Sequence, residues 1–367
     1  MTRLMAVIGA RPQFIKSAPV IAEVLRRKRF ELIIIHSGQH YDPDMSSIFF
    51  KELSIPTPIA NLQSGSGSHA EQTATIMKRL ERQIIKSKPD LVLVPGDTNT
   101  TLAGALTAAK LCVPVAHLEA GLRSGDLTMP EEINRRLTDH CSSLLFAPTQ
   151  RAKRNLTREG LSDLTYLTGD TMVDALRTVF PTVEKREETV LEKFGLERNR
   201  YLLVTLHRPS NVDDPERLKQ IRLAVQKLAE KLQVVFPVHP RTRSRLSKLG
   251  ARTRDSSKRV FYLQPQGYVE ALTLLKNASA LLTDSGGMQK ESFLLHTPCV
   301  TLRSTTEWPE TLVGHANQLI TQPQMIPKAI RAVALDQKPS SRMELSKNPF
   351  GNGYASAKIV RIIEQTT

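Results

Sequence analysis

Three acidic residues and two arginines lie within one stretch, Asp90 to Asp139, which also holds two short apolar runs. Carboxylates beside guanidinium groups are the side chains expected for proton transfer on an anionic substrate. Taken singly, each acid could instead be a helix cap or one half of a surface ion pair, so the chemistry depends on whether the fold brings them together. These residues are Asp97, Glu119, Glu131, Arg123 and Arg135.

The segments around these side chains predict the order strand, loop, helix, strand. Residues 91–94 and 113–118 form two short apolar runs, as is typical of strands buried on both faces of a parallel sheet. Small residues at 101–110 favour a connecting helix. In such βαβ units ligands bind beyond the carboxyl ends of the strands. We therefore expect the acids to converge on one cleft.

The same alternation of strands and helices runs along the chain and restarts near residue 201. A chain of 367 residues also exceeds the size at which one core usually stops growing. We predict an α/β protein with two doubly wound domains, residues 1–170 and 171–353. A helix is expected from 172 to about 179, and the charged segment up to 200 is predicted to be a linker followed by a helix.

The loop after the first strand has features of an anion site. Gly9 permits a tight turn, and Arg11 and Lys16 follow near a predicted helix N-terminus, where backbone N–H groups favour anions. The alternative is an exposed loop with two charges.

A second loop of this kind lies in the second half of the chain. Ser285, Gly286 and Gly287 end a strand and open a helix, which favours a phosphate, although a generic strand-to-helix turn would look the same. Glu291 lies one turn further on, where its carboxylate could accept ribose hydroxyls or pair with a neighbouring base such as Lys290.

The glycines of residues 65–70 imitate a dinucleotide fingerprint. No strand is predicted before them and no ribose-binding acid follows at the required distance, so we reject a nicotinamide site and predict a polar loop before a helix. The cysteines are dispersed, which indicates a reduced, cytoplasmic protein without a zinc site. They are Cys112, Cys141 and Cys299.

The net charge of +15 raises the possibility of a nucleic-acid-binding protein. Only 5% of the residues are aromatic, and none interleave with the basic clusters as base stacking would require. No apolar run approaches the length of a membrane span. We expect no nucleic-acid or membrane partner, and we attribute the charge to a solvated surface that favours phosphorylated substrates.

Short motifs that follow one another over almost the whole chain, among them the loops at Gly9, Gly96 and Ser285, resemble those of the non-hydrolysing UDP-N-acetylglucosamine 2-epimerases. The resemblance implies the glycosyltransferase-B architecture, with two Rossmann-like domains, UDP bound by the second, and a C-terminal helix at 354–367 that crosses back to the first. A homodimer is expected. The matching motifs begin at Gly9, Gly96, His117, Pro130, His207, Thr283, Thr306 and Asn348.

The chemistry implied by the resemblance is elimination of UDP to give 2-acetamidoglucal, followed by re-addition with the opposite C2 configuration. No metal or nicotinamide cofactor is implied. Asp97, Glu119 and Glu131 match the catalytic acids, with Asp97 and Glu131 favoured as the proton-transfer pair, and His207 matches a catalytic or phosphate-contacting histidine. The implied substrate-binding residues are Arg11, Lys16, Ser285 and Gly286 at the diphosphate with Gly287 beside them, Gln266 near uracil, and Glu291 at the ribose.

Departures from the family pattern leave the sugar open. Trp308 stands where N-acetylglucosamine enzymes commonly have arginine, and residues 68–73 look closer to the branch acting on 2,3-diacetamido uronates. We expect Trp308 to pack beneath its loop and the substrate to be UDP-N-acetylglucosamine, with the diacetamido uronate as the alternative. A glycosyltransferase of the same fold and a hydrolysing epimerase are further rivals.

Overall fold

Residues 1–39, 43–250, 259–335 and 348–367 are described by a computed structural model of the protein. They form two α/β units, Met1–Val179 with Glu344–Thr367, and Phe180–Met343. The strands are β1 (Thr2–Ile8), β2 (Phe30–His36), β3 (Ala60–Asn61), β4 (Leu91–Pro95), β5 (Val115–Leu118), β6 (Leu144–Ala147), β7 (Thr165–Leu167), β8 (Tyr201–Thr205), β9 (Gln233–Pro237), β10 (Val260–Leu263), β11 (Ala280–Thr283), β12 (Cys299–Leu302) and β13 (Asn317–Ile320).

Helices connect most of these strands, as a parallel arrangement requires. The helices are α1 (Arg11–Arg27), α2 (Pro43–Glu52), α3 (His69–Ser87), α4 (Asn99–Lys110), α5 (Pro130–Cys141), α6 (Gln150–Arg158), α7 (Thr171–Phe194), α8 (Pro209–Val212), α9 (Pro215–Ala229), α10 (Pro240–Lys248), α11 (Tyr268–Lys276), α12 (Gly286–Leu294), α13 (Ile326–Leu335) and α14 (Ala355–Thr366).

The first unit is built on a seven-stranded sheet in the order β3-β2-β1-β4-β5-β6-β7, in which every pairing is parallel. The strand order reverses between β1 and β4. Alternate residues of β1 serve opposite faces: Leu4 and Ala6 pack in one apolar cluster, and Met5 and Val7 in another. The sheet is therefore buried on both faces, as the apolar runs predict.

The second unit repeats this plan with a six-stranded parallel sheet in the order β10-β9-β8-β11-β12-β13. Here the order reverses between β8 and β11. Leu202 and Val204 pack on one face, whereas Tyr201 and Leu203 pack on the other. In each doubly wound sheet the reversal opens a crevice at the carboxyl ends of the strands, where ligands bind.

The helix break predicted near residue 179 is wrong. One helix, α7, runs without interruption from Thr171 to Phe194, and Pro181 lies inside it. Proline lacks an N–H group and usually ends or kinks a helix, but here Val179 on one side and Val190 on the other are buried by tertiary packing. The division into units falls within this helix, at 179/180 rather than at the predicted 170/171.

The last helix of the chain, α14, packs in the first unit. Ile359, Val360 and Ile363 join the apolar cluster that contains Leu4 of β1. The carboxylate of Asp174 in α7 accepts hydrogen bonds from the Ala355 and Ser356 backbone N–H groups, at 3.1 and 2.8 Å. A side chain distant in sequence thus caps this helix. Residues 348–353, which the sequence assigned to the second domain, group with the first unit.

Among the described residues, none of the helices combines the length and the apolar character that crossing a membrane would need.

Candidate active site

Asp97 follows β4 at the point where the strand order of the first sheet reverses. The preceding Gly96 has φ +72°, the left-handed region that favours glycine. Thr98 then caps α4, because its hydroxyl accepts the N–H of Thr101. The turn therefore carries Asp97 beyond the end of the strand.

Helix α5 holds both the backbone and the side chain of Asp97. Arg135 donates to Oδ2 at 2.6 Å, and the Asn134 amide donates to the Asp97 carbonyl oxygen at 2.9 Å. The Asp97 side chain is 26% exposed, whereas Arg135 is buried. Within the described residues nothing hydrogen-bonds to Oδ1 of Asp97, so that oxygen remains accessible for chemistry.

Glu132 anchors Arg135 from the same helix. Its Oε2 accepts from the guanidinium of Arg135 at 2.9 Å and from the Ser124 N–H at 2.8 Å. Burial raises the pKa of Glu132, but the hydrogen bonds from Ser124 and Arg135 outweigh it, so the pKa lies below its ordinary range. The sequence did not single out Glu132, because the adjacent Glu131 has the same side chain and was chosen instead.

Glu131 lies in the first turn of α5 and is part-exposed. It stands four residues before Arg135, which places both on one face of the helix. No hydrogen bond or ion pair engages Glu131 within the part of the chain that the structure describes. The structure therefore brings Glu131 to the helix end that holds Asp97 and leaves its carboxyl group available.

Glu119 ends β5 with φ +67°, a conformation that costs energy for a residue with a side chain. Its side chain is only 2% exposed and forms an ion pair with Lys16 of α1, whose side chain is 10% exposed. Lys16 is thus drawn to a carboxylate in this structure, although the sequence suggested a phosphate partner. The ion pair therefore links α1, the helix that follows β1, to the residue that follows β5.

The side chain of Gln13 occupies the place at the start of α1 where an anion was predicted to bind. Its Oε1 accepts from the Gly9 and Ala10 N–H groups at 2.9 and 3.0 Å, and its Nε2 donates to the Pro95 carbonyl and the Thr101 hydroxyl. These backbone donors are therefore satisfied internally. Gly9 is required for a different reason: a Cβ there would lie 1.7 Å from Oγ of Ser37.

Arg11 is part-exposed at the first turn of α1, with its guanidinium 5.4 Å from the ring centroid of Phe49. No local pattern could have shown the role of Gln13, because its partners Pro95 and Thr101 lie more than eighty residues away in the sequence. Of the two basic residues predicted to bind an anion at this loop, Arg11 and Lys16, the first keeps that predicted role.

In the second unit, the loop before α12 is shaped by close backbone approach. Ser285 caps the helix by accepting the N–H of Met288, and Gly286 follows. A Cβ on Gly286 would lie 2.1 Å from Oε1 of Glu307, so only glycine fits. With Gly287 in the same turn, the helix N-terminus presents backbone donors of the kind that bind phosphate.

His207 stands at the carboxyl end of β8, beside this loop. The buried carboxylate of Asp284 accepts the N–H groups of His207 and Arg208 at 3.1 and 3.0 Å, and Nδ1 of His207 lies 3.3 Å from Oδ1 of the same carboxylate. The ring itself is part-exposed. Asp284, which sequence reasoning did not single out, therefore orients the predicted histidine.

The other predicted residues of this unit lie in different settings. Glu291 is buried in the second turn of α12. Gln266 is part-exposed after β10 and donates to the carbonyl of Gln264. Trp308 is buried, and the ammonium of Lys290 lies 3.8 Å from its ring centroid, a cation–π contact. The expectation that Trp308 packs inside its loop is confirmed.

No group of three or more histidine, cysteine, aspartate or glutamate side chains within the described ranges is arranged to hold a metal ion.

Comparisons with known proteins cover nearly the whole chain. The sequence profile of the family described as UDP-N-acetylglucosamine 2-epimerase matches residues 22–364. A UDP-N-acetylglucosamine 2-epimerase of Methanocaldococcus jannaschii is 45% identical over 366 residues, which cover 98% of each chain. A UDP-2,3-diacetamido-2,3-dideoxy-D-glucuronate 2-epimerase of Pseudomonas aeruginosa is 41% identical over 372 residues, covering 98% of this chain and 99% of the relative.

Solved structures show the same likeness. The M. jannaschii UDP-GlcNAc 2-epimerase in complex with UDP-GlcNAc and UDP matches with a TM-score of 0.91 and 45% identity, over 99% of this chain and 100% of that chain. A calicheamicin glycosyltransferase matches with a TM-score of 0.52 and 13% identity, over 100% and 99% of the two chains, and shows likeness of fold alone. The predicted fold class is confirmed.

Proposed function

The chain belongs to the UDP-N-acetylglucosamine 2-epimerase family, and from that membership we propose that it inverts C2 of UDP-N-acetylglucosamine to give UDP-N-acetylmannosamine. The observation that carries the proposal is the placement of three acids. Asp97 and Glu119 follow the paired strands β4 and β5, and Glu131 lies in the first turn of α5, the helix whose Arg135 contacts Asp97. The family relationship supplies the substrate, and the geometry supplies candidates for the proton transfers.

The reaction needs unusual help because the C2 proton is not next to a carbonyl group. A base removes that proton while the C1–O bond to UDP breaks, so the C–H electron pair forms a C1=C2 double bond and UDP leaves as an anion. UDP then returns to C1 of the 2-acetamidoglucal while an acid delivers a proton to the opposite face of C2. This route requires two proton-transfer groups and stabilisation of the leaving diphosphate.

We assign the proton transfers to Asp97 and Glu131. Asp97 is held by Arg135 at 2.6 Å through one carboxylate oxygen, with the other accessible. Glu131 is available one helical turn from Arg135. Glu119, paired with Lys16, is buried more deeply, and we assign it a supporting electrostatic role in the same cluster. Position and exposure support this division of roles.

We assign binding of the leaving UDP to the loop that opens α12, with His207 as a phosphate-contacting or catalytic group. The glycine pair and the helix N-terminus favour an anion there. Arg11 is the predicted diphosphate contact of the first unit, and Gln266 and Glu291 remain the proposed uracil and ribose contacts.

Incubation with UDP-N-acetylglucosamine in deuterated water should place deuterium at C2 of both the product and the recovered substrate. The proton removed by a carboxylate exchanges with solvent before another is delivered. NMR without any acceptor substrate follows the reaction and also excludes an acceptor-dependent glycosyltransferase. Epimerised product carrying only protium at C2 would contradict the elimination route, and free sugar plus UDP would identify a hydrolysing enzyme.

The enzyme should prefer UDP-N-acetylglucosamine to the 2,3-diacetamido uronate, because Trp308 is buried and contributes packing rather than a sugar contact. The rival substrate has support of its own in the 41% identity to the P. aeruginosa enzyme. Comparison of kcat/KM for the two sugars decides between them. Preference for the uronate would reverse the assignment, and Trp308→Arg tests whether this residue is responsible.

A further inference from the structure

His117 lies at the centre of a buried hydrogen-bond network that joins β5, α5 and the loop carrying Asp97. Its Nε2 is 2.7 Å from the Gly96 carbonyl oxygen, and its Nδ1 is 2.7 Å from Oδ1 of Asp139. Both side chains are fully buried. The chemistry proposed above gives His117 no role.

The partner of Nε2 decides the direction of its hydrogen bond. A carbonyl oxygen can only accept, so Nε2 carries a proton and donates it to Gly96. The hydrogen bond at the other ring nitrogen, Nδ1, joins the ring to the carboxylate of Asp139. The two contacts together fix the orientation of the ring.

Asp139 has further donors that hold it ionised independently of His117. The Gly121 N–H donates to its Oδ2 at 3.1 Å, and the Arg123 guanidinium lies 2.7 Å from the same oxygen. Arg123 also pairs with Glu159 at 2.6 Å. Donors from two other segments therefore hold the Asp139 carboxylate in place beside the ring of His117.

The contact with Gly96 constrains the peptide group that leads into Asp97. The Gly96 N–H donates to the Leu118 carbonyl at 3.0 Å, and its carbonyl accepts from His117, so both polar groups of this glycine are held from β5. They hold Gly96 in its left-handed conformation. The orientation of Asp97 towards Arg135 follows from that conformation.

We propose that His117 is a positioning residue for Asp97. Its Nε2–H group holds the Gly96–Asp97 peptide in the orientation that brings the carboxylate of Asp97 to the reacting C2–H bond. The proposal rests on the epimerase function proposed above, and it does not require His117 to touch the substrate. Asp139 contributes by fixing the orientation of the ring through its contact with Nδ1.

Two substitutions separate the contacts of the two ring nitrogens. The amide nitrogen of glutamine can replace Nε2 and keep the donor to Gly96, whereas that of asparagine replaces Nδ1 and keeps only the donor to Asp139. We expect His117→Gln to retain kcat within about tenfold and His117→Asn to lose about 10²-fold, as for misplacement of a catalytic group by about 1 Å. KM should change little in either variant.

A kinetic isotope effect distinguishes positioning from a general structural role. With C2-deuterated substrate the effect should grow in His117→Asn, because cleavage of the C2–H bond becomes slower than the other steps. Glu159→Gln is the matched control: it alters the same buried network but does not contact Gly96, and it should leave kcat and the isotope effect near wild type. Equal loss of kcat in the glutamine and asparagine variants, or an unchanged isotope effect, would overturn the proposal.

A measurement on the wild-type protein covers the case in which both variants fail to fold. NMR of the labelled histidine ring nitrogens should show a proton on Nε2 of His117 at neutral pH. A ring without a proton on Nε2 would overturn the proposal. This measurement needs no substrate, so its result is separate from the proposed function, which fails if the wild-type enzyme does not epimerise the sugar.

Discussion

Replacement of Asp97 by asparagine should lower kcat by about 10²–10⁴-fold, the range expected when a general acid or base is removed. Asparagine keeps an oxygen that can accept from Arg135, which now contacts Oδ2 at 2.6 Å, so the loop should keep its shape. What is lost is the carboxylate oxygen that can take up a proton. Steady-state epimerisation kinetics, with circular dichroism to check folding, measure both effects.

The companion variant Glu131→Gln should produce a loss of similar size with even less effect on stability, because no described residue pairs with Glu131. The matched control is Asp163→Asn, which removes an exposed aspartate of the same unit and should leave the rate unchanged. Wild-type kcat in Asp97→Asn would exclude Asp97 from proton transfer. A loss confined to KM would instead assign it to substrate binding.

Replacement of Lys16 by methionine should destabilise the protein by about 3–5 kcal/mol, the cost of breaking a buried ion pair by removing one partner. The carboxylate of Glu119 is only 2% exposed and would lose the ammonium group that it contacts. Activity should fall as well, because Glu119 belongs to the acidic cluster. Urea denaturation followed by circular dichroism measures the change in the free energy of unfolding.

The double variant Lys16→Met/Glu119→Gln should recover much of this stability without recovering activity. It replaces both charges with groups of similar shape, and such replacements of buried pairs are often close to neutral. Lys193→Met is the control. The Lys193 side chain is 53% exposed in its ion pair with Glu270, so that pair should stabilise the protein by less than about 1 kcal/mol. A loss in Lys16→Met no larger than in this control would show that the buried pair is not a major stabilising contact.

The sequence predicted the parts of the fold that depend on local pattern. The apolar run at 91–94 lies in the buried strand β4, and residues 115–118 of the second run form the buried strand β5, which pairs with it in parallel. An apolar run depends only on neighbouring residues, so it can be recognised without a structure. The order of motifs was enough to identify the family, which the comparisons confirm.

Local pattern failed where tertiary packing outweighs it. Helix α7 continues past Pro181 because apolar residues on both sides are buried. The short strand β3 has only two residues and carries no periodic signal, yet it pairs with the end of β2. Neither feature is encoded in a window of neighbouring residues.

The electrostatic partners in the candidate site were decided by the tertiary structure alone. The sequence located Asp97, Glu119 and Lys16 near strand or helix ends, but not that Arg135 would hold Asp97 or that Lys16 would pair with Glu119. A side chain's partner depends on which distant segments the sheet order brings to one edge. For the same reason the hydrogen bond between His117 and Gly96 is evident only in the folded chain.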